Sequence, residues 1–274
     1  MTEIQPAMVM ATMGVTAKNG VVKVEDETTL KQAVSNAQTG EETTIQLTKD
    51  IILGATLVIP ADKNIKLDLG EFTLGISVNE NVIENNGTLT VENGSVIGVD
   101  SGAKSQGMAI CNKPGATVTI NGNYDGTGVC LKARRGLENN EIATINGGTI
   151  ESYNRHAIYT EIGSETYING GRVLSETGSS GFGRAINAKG DVTITGGEIH
   201  SGGSSGAGDA YMNAISMFEN ATLIIKPDAG KSVSVVSETD YAIAPAGNSQ
   251  IFIYGGNFSC NGARNEFEIF QNGS

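Results

Sequence analysis

Ala143-Thr144-Ile145-Asn146-Gly147-Gly148-Thr149-Ile150 reads as a short strand, a tight turn and the start of another strand. Ala143 and Ile145 alternate with Thr144 at a period of two, and Asn-Gly-Gly is turn chemistry because it tolerates a left-handed backbone. The phrase recurs as Thr166-Tyr167-Ile168-Asn169-Gly170-Gly171-Arg172-Val173, as Val192-Thr193-Ile194-Thr195-Gly196-Gly197-Glu198-Ile199 and as Ile251-Phe252-Ile253-Tyr254-Gly255-Gly256-Asn257-Phe258. Shorter versions are Thr88-Leu89-Thr90-Val91-Glu92-Asn93-Gly94 and Thr117-Val118-Thr119-Ile120-Asn121-Gly122, and Ala221-Thr222-Leu223-Ile224-Ile225 keeps the strand without the glycines. Anchored on Val91, Ile120, Ile145, Ile168, Ile194, Ile225 and Ile253, the steps are 29, 25, 23, 26, 31 and 28 residues. Looser copies precede them at Leu67 and Leu47.

A second phrase is interleaved with the first: Ala157-Ile158, Ala185-Ile186, Ala214-Ile215 and Ala242-Ile243, in steps of 28, 29 and 28, with Ala109-Ile110 ahead of them. Two phrases sharing one period mean that each unit supplies at least two strands to different faces of one coil. A period of roughly 20 to 31 residues built from short strands and glycine turns predicts an all-β parallel β-helix, a solenoid. A propeller blade needs about 40 residues per repeat, and leucine-rich repeats need a regular Leu pattern that is missing. Equivalent Val and Ile side chains then stack at the strand spacing of about 4.8 Å, and corner loops absorb the unequal steps.

Composition agrees. Glycine occurs 37 times, aromatics make up 5% and there is no Trp, which disfavours long helices. A net charge of −12 disfavours nucleic acid as a partner, and no apolar run is long enough to insert in a membrane. Three cysteines do not make a disulfide framework, although Cys111 and Cys130 fall in successive units. The spacing of Leu30, Ala33, Val34 and Ala37 predicts one amphipathic helix over about 27–38, with Asp26 or Thr28 as N-cap and Gly40 as terminator, closing the first coil. The expected organisation is an N-terminal segment over 1–25, then a single solenoid domain over 26–274 with coils over about 43–260 and a C-terminal cap over 261–274. Asn121, Asn146 and Asn169 stand at equivalent turn positions and should form an amide ladder, and Arg172 should pair with Glu198 across coils.

Through the helix Leu30 to Ala37, the strand Thr43-Thr44-Ile45-Gln46-Leu47 and the Ile-Asn-Gly-Gly phrases, residues 27 to 260 resemble the right-handed parallel β-helix proteins of the pectate-lyase-like superfamily. The resemblance implies the fold and leaves a choice among polysaccharide lyases and hydrolases, bacterial adhesins and phage virion proteins. The hydrolases of that superfamily carry Asn-Thr-Asp, Asp-Asp and Gly-His-Gly motifs and the lyases an Arg-x-Pro-x-x-Arg context, and none of these occurs; Arg134-Arg135 is followed by Gly136. Glu138, Glu141, Glu151 and Glu161 are the acids from which a catalytic pair would have to be built, and scattered charges of this kind are ordinarily solvated. No catalytic residue, metal or cofactor is expected, since His156 and His200 have no partner at metal-ligand spacing.

His156, Arg184, Asn213 and Tyr241 each precede an Ala-Ile phrase, so they form a column; with Tyr153, Asn154 and Phe182 they are the candidate glycan contacts. A neighbouring inward-facing Ile turns such residues inward unless the chain bends beside them. Ile4, Met8, Met10 and Met13 lie in a nearly uncharged lead and are candidates for docking the rod onto a larger assembly, the alternative being a loosely draped tail. The N-terminus lacks the basic start of a secretory signal. Together these features favour a non-enzymatic virion component, a head fibre, capsid decoration or tail-associated rod assembled in the host cytoplasm, in contact with surface polysaccharide. The resemblance adds an expectation of a homotrimer. A polysaccharide-degrading enzyme and a bacterial surface adhesin, extracellular or at the cell surface, are the alternatives.

Overall fold

A computed structural model describes residues 20–100, 106–153, 155–175, 183–202 and 213–260. The N-terminal docking candidates Ile4, Met8, Met10 and Met13, the C-terminal cap over 261–274, and the glycan candidates Asn154 and Phe182 lie outside the described residues.

The chain winds into a parallel β-solenoid of about eight turns. From the strand Glu42–Leu47 onward successive strands go in rotation to three sheets, so that among the described residues sheet A, which also holds Val21–Val24, has ten strands, sheet B nine and sheet C eight. All pairings between coils are parallel. The Ile-Asn-Gly-Gly phrase ends a strand of sheet A, turns the corner and begins a strand of sheet B, as in Ile142–Ile145 followed by Thr149–Ser152. The Ala-Ile phrase opens sheet C, as in Ile158–Thr160.

The interior columns follow the alternation. In sheet A, Ile45, Leu67, Val91, Ile120, Ile145, Ile168, Ile194, Ile225 and Ile253 pair in order from coil to coil. Leu67 therefore stands over Ile45 and not over Leu47; Leu47 pairs with Val24 of the preceding strand. In sheet C the column is Leu57, Ile83, Ile110, Leu137, Ile158, Ile186, Ile215 and Ile243. Nearly all of these side chains are buried in one continuous core. Burial of each is worth about 1.5–3 kcal/mol, so the repeat of one apolar residue per strand per coil is the main stabilising term.

Among the described residues there is one helix, Glu27–Asn36. Asp26 is its N-cap: the carboxylate accepts from Thr29 N at 2.7 Å, and Thr29 Oγ1 accepts from Asp26 N at 3.2 Å, which closes a capping box. Leu30, Ala33 and Val34 are buried against the first coil. The strand Val21–Val24 precedes the helix and pairs with Glu42–Leu47, so the solenoid's first strand lies within the span read from sequence as the N-terminal segment.

At the corner between sheets A and B the second glycine of each turn has a left-handed backbone, with φ of 87° at Gly148, 85° at Gly171 and 102° at Gly197. The loop after Asn121 folds down over these turns. Tyr124 O accepts from Gly171 N at 2.9 Å, and Tyr124 Oη donates to Ser232 O at 2.8 Å and accepts from Ser232 N at 3.0 Å. A Cβ on Gly170 would stand 2.6 Å from the Tyr124 ring, so the glycines leave room for the strap as well as for the turn.

Two amide ladders run along the coil. The expected one is present: Asn146 Nδ2 donates to Asn121 Oδ1 at 2.8 Å and Asn169 Nδ2 to Asn146 Oδ1 at 2.9 Å. A second, at the corner from sheet C to sheet A, is fully buried: Asn85 Nδ2 donates to Asn112 Oδ1 at 2.7 Å, Asn112 to Asn139 at 2.8 Å, and Asn139 to Thr166 Oγ1 at 2.9 Å. Arg172 and Glu198 are paired in register, with Nε to Oε2 at 2.9 Å. Cys111 lies in sheet C and Cys130 in sheet B, and both are free thiols.

Candidate functional site

The corner from sheet B to sheet C is where the loops vary most. A single residue, Arg134, joins Val129–Ala133 to Arg135–Asn139, whereas residues 153–157 make the next connection and 176–185 the one after. The predicted column sits here. Arg135, His156, Arg184, Asn213 and Tyr241 each lie two residues ahead of a member of the inward column Leu137, Ile158, Ile186, Ile215 and Ile243.

The chain bends at Ala157, Ala185 and Ala214, so His156, Arg184 and Asn213 point over the outer face of sheet C and not into the core; Arg135, which opens the strand Arg135–Asn139, reaches the same face through Glu138. A contact between this column and the residue three positions on repeats in four coils. Arg135 Nη1 donates to Glu138, the His156 ring stacks on Tyr159 with centroids 6.0 Å apart, Arg184 Nη1 donates to Asn187 Oδ1 at 2.7 Å, and Asn213 Nδ2 donates to Ser216 Oγ at 3.0 Å. The second members, Glu138, Tyr159, Asn187 and Ser216, are themselves paired across coils. Alternation along the strand puts Ile158 inside and Tyr159 outside, and the bend returns His156 to the outside as well.

The column is not an open strip. His156 is 4% exposed and Asn213 2%, while Arg184, Tyr153 and Tyr241 are half-buried. Asn213 is tied further by accepting from Tyr241 N at 3.2 Å. The accessible part is therefore centred on the half-buried Tyr159 ring, over which Arg135 Cζ stands at 4.2 Å and Lys189 Nζ at 5.0 Å. Beside it Tyr153 takes Lys132 Nζ over its ring at 5.2 Å.

Arg134 and Arg135, which the sequence presented as a failed lyase motif, are at the centre of this corner. Four of the chain's six arginines (Arg134, Arg135, Arg155 and Arg184) act on His156. Burial, then the positive charges of Arg184, Arg135, Arg155 and Arg134, push the His156 pKa down to about 2, so the imidazole is neutral at ordinary pH. Arg134 makes no hydrogen bond or ion pair among the described residues, and burial together with Arg155 and Arg135 lowers its pKa. The signal available in sequence was the Arg-Arg pair aligned with Arg184 once the coils are superposed.

The four glutamates considered for catalysis all have partners. Glu138 binds Arg135, Glu151 accepts from Lys132 Nζ at 2.5 Å, Glu161 lies 3.5 Å from Lys189 Nζ, and Glu141 Oε2 accepts from Gly115 N at 3.0 Å. Among the described residues no three His, Cys, Asp or Glu side chains gather in a way that would hold a metal, and no helix is long and apolar enough to cross a membrane. No protein-family model, curated protein or solved structure matches the chain.

Proposed function

We propose that the protein is a non-enzymatic rod that holds a surface glycan against the outer face of sheet C. The observation that carries this reading is the ladder of contacts at that corner: an arginine–glutamate pair, a histidine–tyrosine stack and an arginine–asparagine pair in successive coils. Coil spacing of about 4.8 Å repeats polar and aromatic groups along a line, which suits an extended polymer better than a compact small molecule. Tyr159 supplies an amphipathic ring for the apolar face of a sugar, and Arg135, Arg184 and Lys189 supply donors for its hydroxyls. The buried His156 and Asn213 act by holding Tyr159 and Ser216 in place. Engagement of Glu138, Glu141, Glu151 and Glu161 with basic side chains or backbone supports the non-enzymatic side of the reading.

The setting that goes with this role is a virion, with the chain belonging among the non-catalytic members of the pectate-lyase-like proteins and assembling as a homotrimer. Binding to a polysaccharide panel, measured by calorimetry alongside release of reducing sugar and unsaturated uronate, is the direct test. Retention of at least one polysaccharide, loss of that binding in Tyr159→Ala and no released product are expected; no binding across the panel overturns the glycan role, and product release overturns the non-enzymatic one. Light scattering should give three times the 28.4 kDa chain mass; a monomer refutes the trimer. Antibody labelling of purified phage particles should find the rod on them, and unlabelled particles refute the virion setting.

A further inference from the structure

We infer that the corner formed by Arg134, Arg135, Arg155 and Arg184 around His156 is a binding site for an oxyanion, and that the glycan held on sheet C is therefore an acidic one. This rests on the glycan reading above for the polymer, but not for the anion. The chain as a whole carries −12, yet four of its six arginines converge on one imidazole. Clustering like charges is unfavourable by several kT unless a counter-charge joins them. Among the described residues Glu138 is the carboxylate paired with Arg135. Arg134 has no salt bridge among the described residues, and Glu138 acts on it only through space.

A second observation points to a ligand. His156 Nδ1 and Arg135 Nε are buried and have no hydrogen-bond partner, in a side chain that is only 4% exposed in the case of His156. Buried polar atoms are almost always satisfied, so an unsatisfied ring nitrogen among guanidinium groups marks a place that a bound group completes. An oxyanion does this: its oxygens accept from Arg134 and from Arg135 Nε, and from the imidazole in the tautomer that carries its proton on Nδ1. Phosphate, sulfate and carboxylate share this chemistry. The neighbouring Tyr159 places any sugar bearing such a group against the outer face of sheet C.

The site is tested by titrating the protein with inorganic phosphate, with a glucuronate-containing polysaccharide and with the same polysaccharide after reduction of its carboxyl groups. The expected result is binding of the acidic polymer, at least tenfold weaker binding after carboxyl reduction, and a further loss of about tenfold in Arg134→Ala, as suits one charge-assisted hydrogen bond. Arg172→Ala, an exposed arginine at another corner, should change nothing. Binding the anion should also raise the His156 pKa, read from its ring resonances. Equal affinity for the acidic and reduced polymers overturns the oxyanion site and leaves the glycan reading standing. Phosphate binding that is lost in Arg134→Ala, with neither polymer bound, upholds the oxyanion site and overturns the glycan reading. An Arg134→Ala variant that binds phosphate and the acidic polymer like the parent refutes the site.

Discussion

Asn112 and Asn146 occupy the same kind of ladder in opposite surroundings. Asn112 is fully buried, donates to Asn139, to Ala116 O and to Ile142 O, and accepts from Asn85, whereas Asn146 lies at an exposed turn. Water can replace the partners of Asn146 but not those of Asn112. Asn112→Ala should therefore lower unfolding free energy by about 2–4 kcal/mol and Asn146→Ala by less than about 1 kcal/mol. Guanidinium midpoints measure the difference, and equal shifts would mean that burial does not set the value of the ladder. His156 makes a residue-scale prediction of a different sort. Its pKa falls from 6.5 in the unfolded chain to about 2 in the folded one, so between those values the unfolded state holds more protons. Stability contributed by this group is intact above pH 6.5 and declines by at most about 1.4 kcal/mol per pH unit on acidification. The wild type should lose stability below pH 6 more steeply than His156→Gln, in which a neutral amide replaces the ring. Parallel stability curves would show that the imidazole is not held neutral.

At the scale of the element, the corners decide what a glycine is for. Gly163 and Gly171 have nearly the same backbone, φ of 83° and 85°, but a Cβ on Gly163 would meet nothing within 4 Å whereas one on Gly171 would stand 2.4 Å from Gly148 O. Gly163→Ala should thus cost about 1–2 kcal/mol, the local strain alone. Gly171→Ala should cost at least about 3 kcal/mol, because two coils must separate at that corner. Thermal unfolding of both variants checks this, and similar losses would remove the role assigned to coil-to-coil approach. The helix Glu27–Asn36 is likewise more than its periodicity. Its capping box fixes where it starts, and Asp26→Ala should cost about 1 kcal/mol in the same assay.

The whole molecule is quasi-one-dimensional: strand pairing joins each coil to its neighbours, so stability is close to a sum of coil and interface terms, with the Tyr124 strap to Ser232 reaching further along the stack. Such a stack has two ends, and the helix covers the first. Leu30, on the helix face turned to the coil, is fully buried. Leu30→Glu should detach the helix and expose unpaired coil, producing self-association that rises with protein concentration in light scattering. A variant that remains at the parent's size at all concentrations would show that the helix is not a protective cap. The distribution of charge is also a property of the whole. An acidic chain concentrates its arginines at one corner, and only superposition of the coils makes that visible.

Local chemistry made much of this legible in the sequence. Alternation at a period of two, ended by Asn-Gly-Gly, specified the sheet A column from Val91 to Ile253, the exposed Asn121–Asn146–Asn169 ladder and the Arg172–Glu198 pair, because all of them sit at constant offsets from one recognisable turn. Helix spacing and an Asp N-cap located the cap in the same way. The tertiary structure alone revealed the third sheet as a separate face, the pairing of Leu47 with Val24, the buried Asn85–Asn112–Asn139 ladder and the outward column with Arg134, Arg135 and Arg155 around His156. These depend on which residues close each coil. Loops of unequal length erase constant spacing along the chain, while parallel backbone hydrogen bonds restore constant position in space.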